Sequence, residues 1–168
     1  MIHTNIPPEI GQIRNILSEV TDPEIPVLTI GDMGIIREIQ IGETGKVRVV
    51  ITPTYTGCPA MDMITVNIKS ALQENGYDQV EVETVLYPEW TTDWISAEGK
   101  AKLKSYGIAP PAQKTTDTSF IKGENPIVHC PLCDSFDTEM ISRFGSTPCK
   151  SLYKCNACLE PFDYFKCH

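Results

Sequence analysis

The chain has 168 residues, 41% hydrophobic and 21% charged, enough to bury one good core plus a small second module and too well mixed for a disordered chain. Its formal net charge is −8, with 8 Lys/Arg against 15 Asp/Glu in residues 1–110 and 6 against 7 in residues 111–168. An acidic chain without a basic stripe is a poor match to the phosphate backbone that dominates nucleic-acid affinity, and no apolar run reaches the length of a membrane span.

The chain opens with Pro7, Pro8 and Glu9 where a signal peptide needs an apolar core, so the expected compartment is the cytoplasm. After the prolines, Ile10, Ile13, Leu17 and Val20 fall on one face of a first helix, which tolerates a proline at its start because that N–H has no partner anyway. The next stretch, "SEVTDPEIPVLTIGDMGII", holds Asp22 and Glu24 around Pro23, with Asp32 further on. Asp-Pro initiates turns, so one reading is a solvated acidic loop. The other folds the loop over the turn at Cys58, where a carboxylate and a thiolate would face one another in a site suited to iron.

Residues 34–41 and 46–52 read as two strands joined by "GETG", with Val47, Val49 and Ile51 on one face. Then comes "TPTYTGCPAMDMI", which runs from a strand end through Gly57 into a helix. Pro59 suits a first helical position, and Met61, Ile64, Ile68 and Leu72 recur at helical spacing until Asn75 and Gly76 stop the run. Cys58 thus sits at a helix N-terminus, where unpaired N–H groups and the helix dipole are expected to lower its pKa towards neutrality. The alternative is a buried structural cysteine. No second cysteine completes a C-x-x-C with it, which disfavours a disulfide oxidoreductase.

A third strand follows as "QVEVETVLY", with Val80 and Val82 alternating with glutamates. Tyr87, Trp90 and Trp94 form an aromatic group assigned to a core or an interface. A lysine-bearing helix is expected from Ser96 to Tyr106, capped by Ser96 and stopped by Gly107. The proline pair and polar run after it read as a linker. The expected architecture is therefore α+β, with an αββαβ-type domain over 1–108, a linker over 109–125 and a metal-bound module over 126–168.

That last module holds six of the seven cysteines. Cys130 and Cys133 form one C-x-x-C, Cys155 and Cys158 form another, and 21 residues separate them. Two such knuckles bring four thiolates onto one ion, the pattern of a zinc ribbon, with "TEMISRFG" and "SLYKC" as its strands. Iron–sulfur ligation by the same four thiolates is the other option. A module this small needs the metal for much of its folding free energy. Cys149 and Cys167 are left over, as buried apolar residues or as extra ligands, and His129 and His168 sit beside cysteines either solvated or coordinating. The aromatic run "EPFDYFKCH" either offers a docking contact or caps the ribbon's own core.

"VTDPEIPVLTIGDMGII" together with "TPTYTGCPAMDMI" resembles the small domain of SufT-like iron–sulfur assembly factors, with its D-P-E-I-P loop and its cysteine in a T-G-C-P turn. With the cysteine-rich tail added, the whole chain is similar to the PaaD family of bacterial phenylacetyl-CoA epoxidase systems. That resemblance implies an accessory or maturation factor in phenylacetate catabolism, assisting an iron–sulfur cluster or iron centre, with oxygenase or reductase subunits as partners. It also implies that Cys58 binds iron or a cluster transiently, with Asp22 and Glu24 shaping the site. One cysteine cannot hold a cluster alone, so a second protomer, the client or tail thiols would complete the ligation.

No paired Glu-x-x-His pattern, Rossmann glycine fingerprint or P-loop is present, so oxygenation, dinucleotide chemistry and ATP-driven assembly are not expected of this chain. A non-catalytic role is expected. The alternatives are a structural docking component with an inert Cys58, a nucleic-acid-binding ribbon, which the acidity opposes, and a thiol enzyme whose partners lie elsewhere in the sequence.

Overall fold

A computed structural model describes residues 8–111 and 127–166. The chain forms two compact units, Met1–Trp90 and Thr91–His168.

In the first unit, α1 (Pro8–Leu17) buries Ile13 and Leu17 completely, and Val20 extends the same apolar face after the helix has ended. The loop that follows leads into β1 (Ile36–Ile41), which pairs antiparallel with β2 (Val47–Ile51), placing Ile39 opposite Val49 and Ile41 opposite Val47. The tight connection closes through the Gly42 N–H, which donates to the Lys46 carbonyl at 2.9 Å. Val47, Val49 and Ile51 are fully buried on one face of β2, as their alternation predicts.

Helix α2 (Ala60–Glu74) buries Ala60, Ile64, Ile68 and Leu72. Each of the three larger side chains contributes about 1.5–3 kcal/mol by leaving water. Asn75 and Gly76, the latter at φ 91°, then end the helix. β3 (Val80–Thr84) runs parallel to β2 with Val82 opposite Val49. Parallel strands need a long crossover, and α2 provides it. The element order is the αββαβ expected from sequence. The sheet's other face carries Arg48–Glu83 and Lys46–Glu81 pairs, largely solvated and of little energetic weight.

The aromatic group divides. Trp90 is buried, its indole N–H donating to the Met33 carbonyl at 2.8 Å, whereas Tyr87 is 85% exposed and Trp94 is half-buried.

The second unit begins with a short 3-10 turn (Thr92–Trp94) and α3 (Ala97–Ser105), whose Ser96 hydroxyl accepts the Gly99 N–H at 2.8 Å. Next, β4 (Ile108–Ala109) pairs parallel with β7 (Pro161–Phe165) in a sheet of order β4-β7-β6-β5, where β5 is Thr138–Ser142 and β6 is Lys150–Cys155.

The sequence reading carries the first domain to residue 108 and starts the linker at 109, whereas the structure groups α3 and β4 with the ribbon. The cause is visible in the residues. Ile108 and Ala109 are buried, β4 covers the open edge of β7, and Lys104 pairs with Asp134 at 2.7 Å. Residues 112–126, most of the expected linker, lie outside the described residues.

Candidate functional site

The ribbon's two knuckles are built alike. The Cys130 N–H donates to the Ser135 carbonyl and the Cys155 N–H to the Glu160 carbonyl, both at 3.0 Å. The residue after each second cysteine, Asp134 at φ 60° and Leu159 at φ 66°, takes a left-handed conformation that turns the chain sharply. Backbone N–H groups thereby point at sulfur: Ser135 at Cys133, Ala157 and Cys158 at Cys155, and Glu160 at Cys158.

The four sulfurs lie within 4.8 Å of one another, with Cys130–Cys158 at 3.7 Å and Cys133–Cys155 at 3.5 Å. A tetrahedral zinc at ~2.3 Å from each sulfur requires sulfur pairs about 3.8 Å apart. The arrangement therefore suits one tetrahedral ion, while a multi-iron cluster would need the thiolates spread over several metals. The electrostatics agree. The N–H of Cys158, helped by that of Ala157 and by the neighbouring thiols, outweighs burial and leaves Cys155 lowered to about 7. The Ser135 N–H pulls Cys133 down, but the neighbouring thiols, Cys155 foremost, and burial push it up to about 12. Four thiols this close cannot all ionise without a cation among them.

Around the sulfurs a small core forms from Ala109, Val128, Tyr153, Phe162 and Tyr164 with Cys130 and Cys155. The Tyr153 ring lies 5.9 Å from Phe162 and 5.7 Å from Tyr164. Phe162, Tyr164 and Phe165, three residues of the terminal aromatic run, thus fill the module's interior rather than present a contact face. Cys149 is buried outside the four-sulfur group, its sulfur 3.0 Å from the Thr147 hydroxyl, and His129 packs its ring 3.8 Å from that of Phe136. Cys167 and His168 lie outside the described residues.

In the first unit, Gly57 at φ 81° makes the turn that delivers Cys58 to the start of α2. The Cys58 amide donates to the Tyr55 carbonyl at 3.3 Å, and the Cys58 carbonyl accepts the Met61 N–H at 3.2 Å, with Pro59 between them in helical geometry. The thiol is half-buried, and the Ala60 N–H and the Tyr55 hydroxyl both act to favour its thiolate. The charges of Glu24 and Asp22 reach it, so the acidic loop and the turn cysteine lie in the same part of the first unit.

The expectation of a lowered pKa is overturned. Burial raises the Cys58 pKa, the two donors offset only part of that, and the Glu24 and Asp22 charges raise it further. The helix terminus loses to desolvation and like charge. Sequence reasoning also missed Tyr55. Its place three residues before the cysteine, across a turn marked by Gly57, is the signal that was available.

The acidic loop is firmly folded. Asp22 is 5% exposed, and its Oδ1 accepts the N–H groups of Glu24 at 2.7 Å and Ile25 at 2.8 Å. Its own N–H donates to the Leu28 carbonyl at 2.8 Å, and Asp32 Oδ2 accepts the Thr29 N–H at 3.1 Å. Asp22 therefore positions the loop, and Glu24, next to it and half-buried, is the carboxylate the turn presents.

One consequence is measurable. In the metal-loaded protein, the rate of Cys58 alkylation by iodoacetamide, followed by peptide mass spectrometry, is expected to titrate above 9.0, and Tyr55→Phe to move it higher still. A rate that levels off near neutral pH in the wild type contradicts this.

Two family models match the chain: one described as iron–sulfur cluster assembly protein over residues 10–85, and one described as PaaD zinc beta ribbon domain over residues 114–166. A protein of Escherichia coli (strain K12) assigned as the D component of 1,2-phenylacetyl-CoA epoxidase is 47% identical over 165 residues, spanning 98% of this chain and 96% of that one. The Fe–S protein maturation auxiliary factor of Porphyromonas gingivalis is 35% identical over 92 residues, spanning 54% of this chain and 87% of that one. Among solved structures, a DUF59 domain from Bacillus anthracis superposes with a TM-score of 0.52 at 26% identity, covering 55% of this chain and 89% of that one.

Proposed function

Because the chain belongs to the PaaD family of phenylacetyl-CoA epoxidase systems, we propose that it is a non-catalytic maturation factor that helps assemble an iron–sulfur cluster or iron centre of that system. The observation that carries this reading is the pairing, within the first unit, of the half-buried Cys58 with the carboxylate loop of Asp22 and Glu24. One thiol, one carboxylate and a hydroxyl donor make an incomplete ligand set, which suits a metal or cluster that must leave again. A closed four-thiolate site suits one that stays.

The division of labour follows. The ribbon thiols Cys130, Cys133, Cys155 and Cys158 hold a permanent zinc that organises the second unit. Zinc supplies charge neutralisation there and holds the two knuckles together. In the first unit, Cys58 takes the iron or cluster as cargo, Glu24 lies beside it, Tyr55 and the Ala60 N–H favour its thiolate, and Asp22 fixes the loop. The client, which is a reductase or oxygenase component, or a second copy of this chain completes the coordination during transfer. All of this takes place in the cytoplasm, where thiols remain reduced. The competing reading, a docking component with an inert Cys58, loses its most obvious contact because Phe162 and Tyr164 face the ribbon's own core and Phe165 is fully buried.

The test is co-expression of the system's reductase with the wild-type chain, with Cys58→Ser, or with no such chain. Iron and acid-labile sulfide per purified reductase are expected to fall several-fold with Cys58→Ser, towards the level without the chain. Equal loading with wild type and Cys58→Ser contradicts the proposal.

A further inference from the structure

Helix α2 carries more apolar surface than its core needs. At about 3.6 residues per turn, its buried residues Ala60, Ile64, Ile68 and Leu72 define one stripe, and positions 59, 63, 66 and 70 fall on the opposite one. A helix covering one core is expected to place charged residues there. Instead it presents Pro59, Met63 and Val66, with Met63 52% and Val66 56% exposed, before the stripe ends at the exposed Ser70. A β-branched valine at a solvated helix position also costs helix propensity and gains nothing in the isolated chain. This second apolar stripe starts at the residue next to Cys58.

Charge says what can cover it. Residues 1–90 hold 5 Lys/Arg against 13 Asp/Glu, while residues 91–168 hold 9 of each, so the whole net charge of −8 belongs to the first unit. Asp62 lies exposed on the same side of α2 as the stripe, the half-buried Lys69 follows two turns on, and the half-buried Glu24 acts on the Cys58 end. A second copy would bring a first unit of the same net −8 against this one and is disfavoured. A partner with an apolar patch edged by Lys or Arg is favoured by both features.

We infer that the outward stripe of α2, Pro59–Met63–Val66, is the client-docking surface, and that it receives an apolar patch with a basic rim on the protein being matured. The inference rests on the maturation reading and gives it a geometry: the stripe leads to Cys58, so docking brings the client's ligands to the thiol that carries the cargo. Met63, flexible and polarisable, is well suited to packing against a foreign surface.

The experiment measures binding of the full-length, metal-loaded chain to the purified reductase and, separately, to the purified oxygenase components of the system. One of these is expected to bind wild type, to bind the Met63→Lys/Val66→Lys variant at least tenfold more weakly, and to bind Asp62→Lys several-fold more weakly through a slower association rate. Asp78→Lys, the same charge change just beyond the far end of α2, is expected to stay within twofold. Circular dichroism and metal content check that the variants fold. Binding of the Met63→Lys/Val66→Lys variant within twofold of wild type overturns the inference and leaves the maturation reading standing. A wild-type dimer in sedimentation that this variant dissociates also overturns it, because a second copy then covers the stripe. If wild type binds none of the components, the maturation reading itself fails, and the inference with it.

Discussion

Replacing Cys155 with serine is expected to release the metal and unfold the ribbon while leaving the first unit folded. The sulfur of Cys155 is both a ligand in the four-thiol group and part of the ribbon's core, where it is fully buried. A structural zinc supplies about 10–16 kcal/mol of binding free energy to a small module, well beyond what the few aromatic contacts around Tyr153 provide. The first unit has its own core of Ile13, Leu17, Ile51, Ile64, Ile68 and Leu72 and needs none of this. Metal analysis should find one zinc per wild-type chain and none in Cys155→Ser, and hydrogen exchange should lose protection in β4 to β7 and keep it in the first unit. Cys149→Ser, outside the group, should keep its zinc. Retention of zinc and of ribbon protection in Cys155→Ser contradicts the four-thiolate assignment.

The second large effect concerns Asp22. Removing its carboxylate leaves the Glu24 and Ile25 N–H groups without the acceptor they share. Each buried orphan costs about 1–3 kcal/mol, so Asp22→Ala is expected to destabilise the first unit by about 2–5 kcal/mol in urea unfolding. Asp22→Asn keeps an acceptor and should cost about 1 kcal/mol or less. The two variants also separate scaffold from charge. The Asp22 charge raises the Cys58 pKa, so Asp22→Asn should lower it and speed alkylation at fixed pH. If Asp22→Ala unfolds like wild type, the loop is held by something other than this carboxylate.

The parts of the fold that were legible are those where one residue pattern has one physical solution. The 3.6-residue spacing of Ile64, Ile68 and Leu72 between Pro59 and Gly76, and the alternation of Val47, Val49 and Ile51, admit a helix and a strand and little else. The knuckle spacing likewise admits little besides four sulfurs on one centre. What failed depends on tertiary context. Ile108 and Ala109 look like the entrance to a linker because a two-residue strand has no periodicity, and only the free edge of β7 gives it a partner. β7 itself was hidden because the aromatic run reads equally well as a docking contact and as a cap on the ribbon's core, until Phe162 and Tyr164 are seen facing Tyr153.

At Cys58 the sequence announces the helix terminus, whose local effect is to stabilise a thiolate. It does not announce the burial, or the approach of Glu24 from 34 residues upstream, which reverse that effect. Tyr55 is the remaining lesson. A tyrosine in a turn carries no motif, yet its hydroxyl is one of two groups that offset the effect of burial on the thiol.

The most direct test is anaerobic metal and sulfide analysis with Mössbauer and visible spectra, on wild type and Cys58→Ser produced with iron and zinc both available. The expected result is zinc in both proteins, at the ribbon, and an iron or iron–sulfur signal in wild type that Cys58→Ser lacks. Zinc without iron in both, from a Cys58→Ser chain that still yields a fully loaded reductase, would contradict carriage by Cys58.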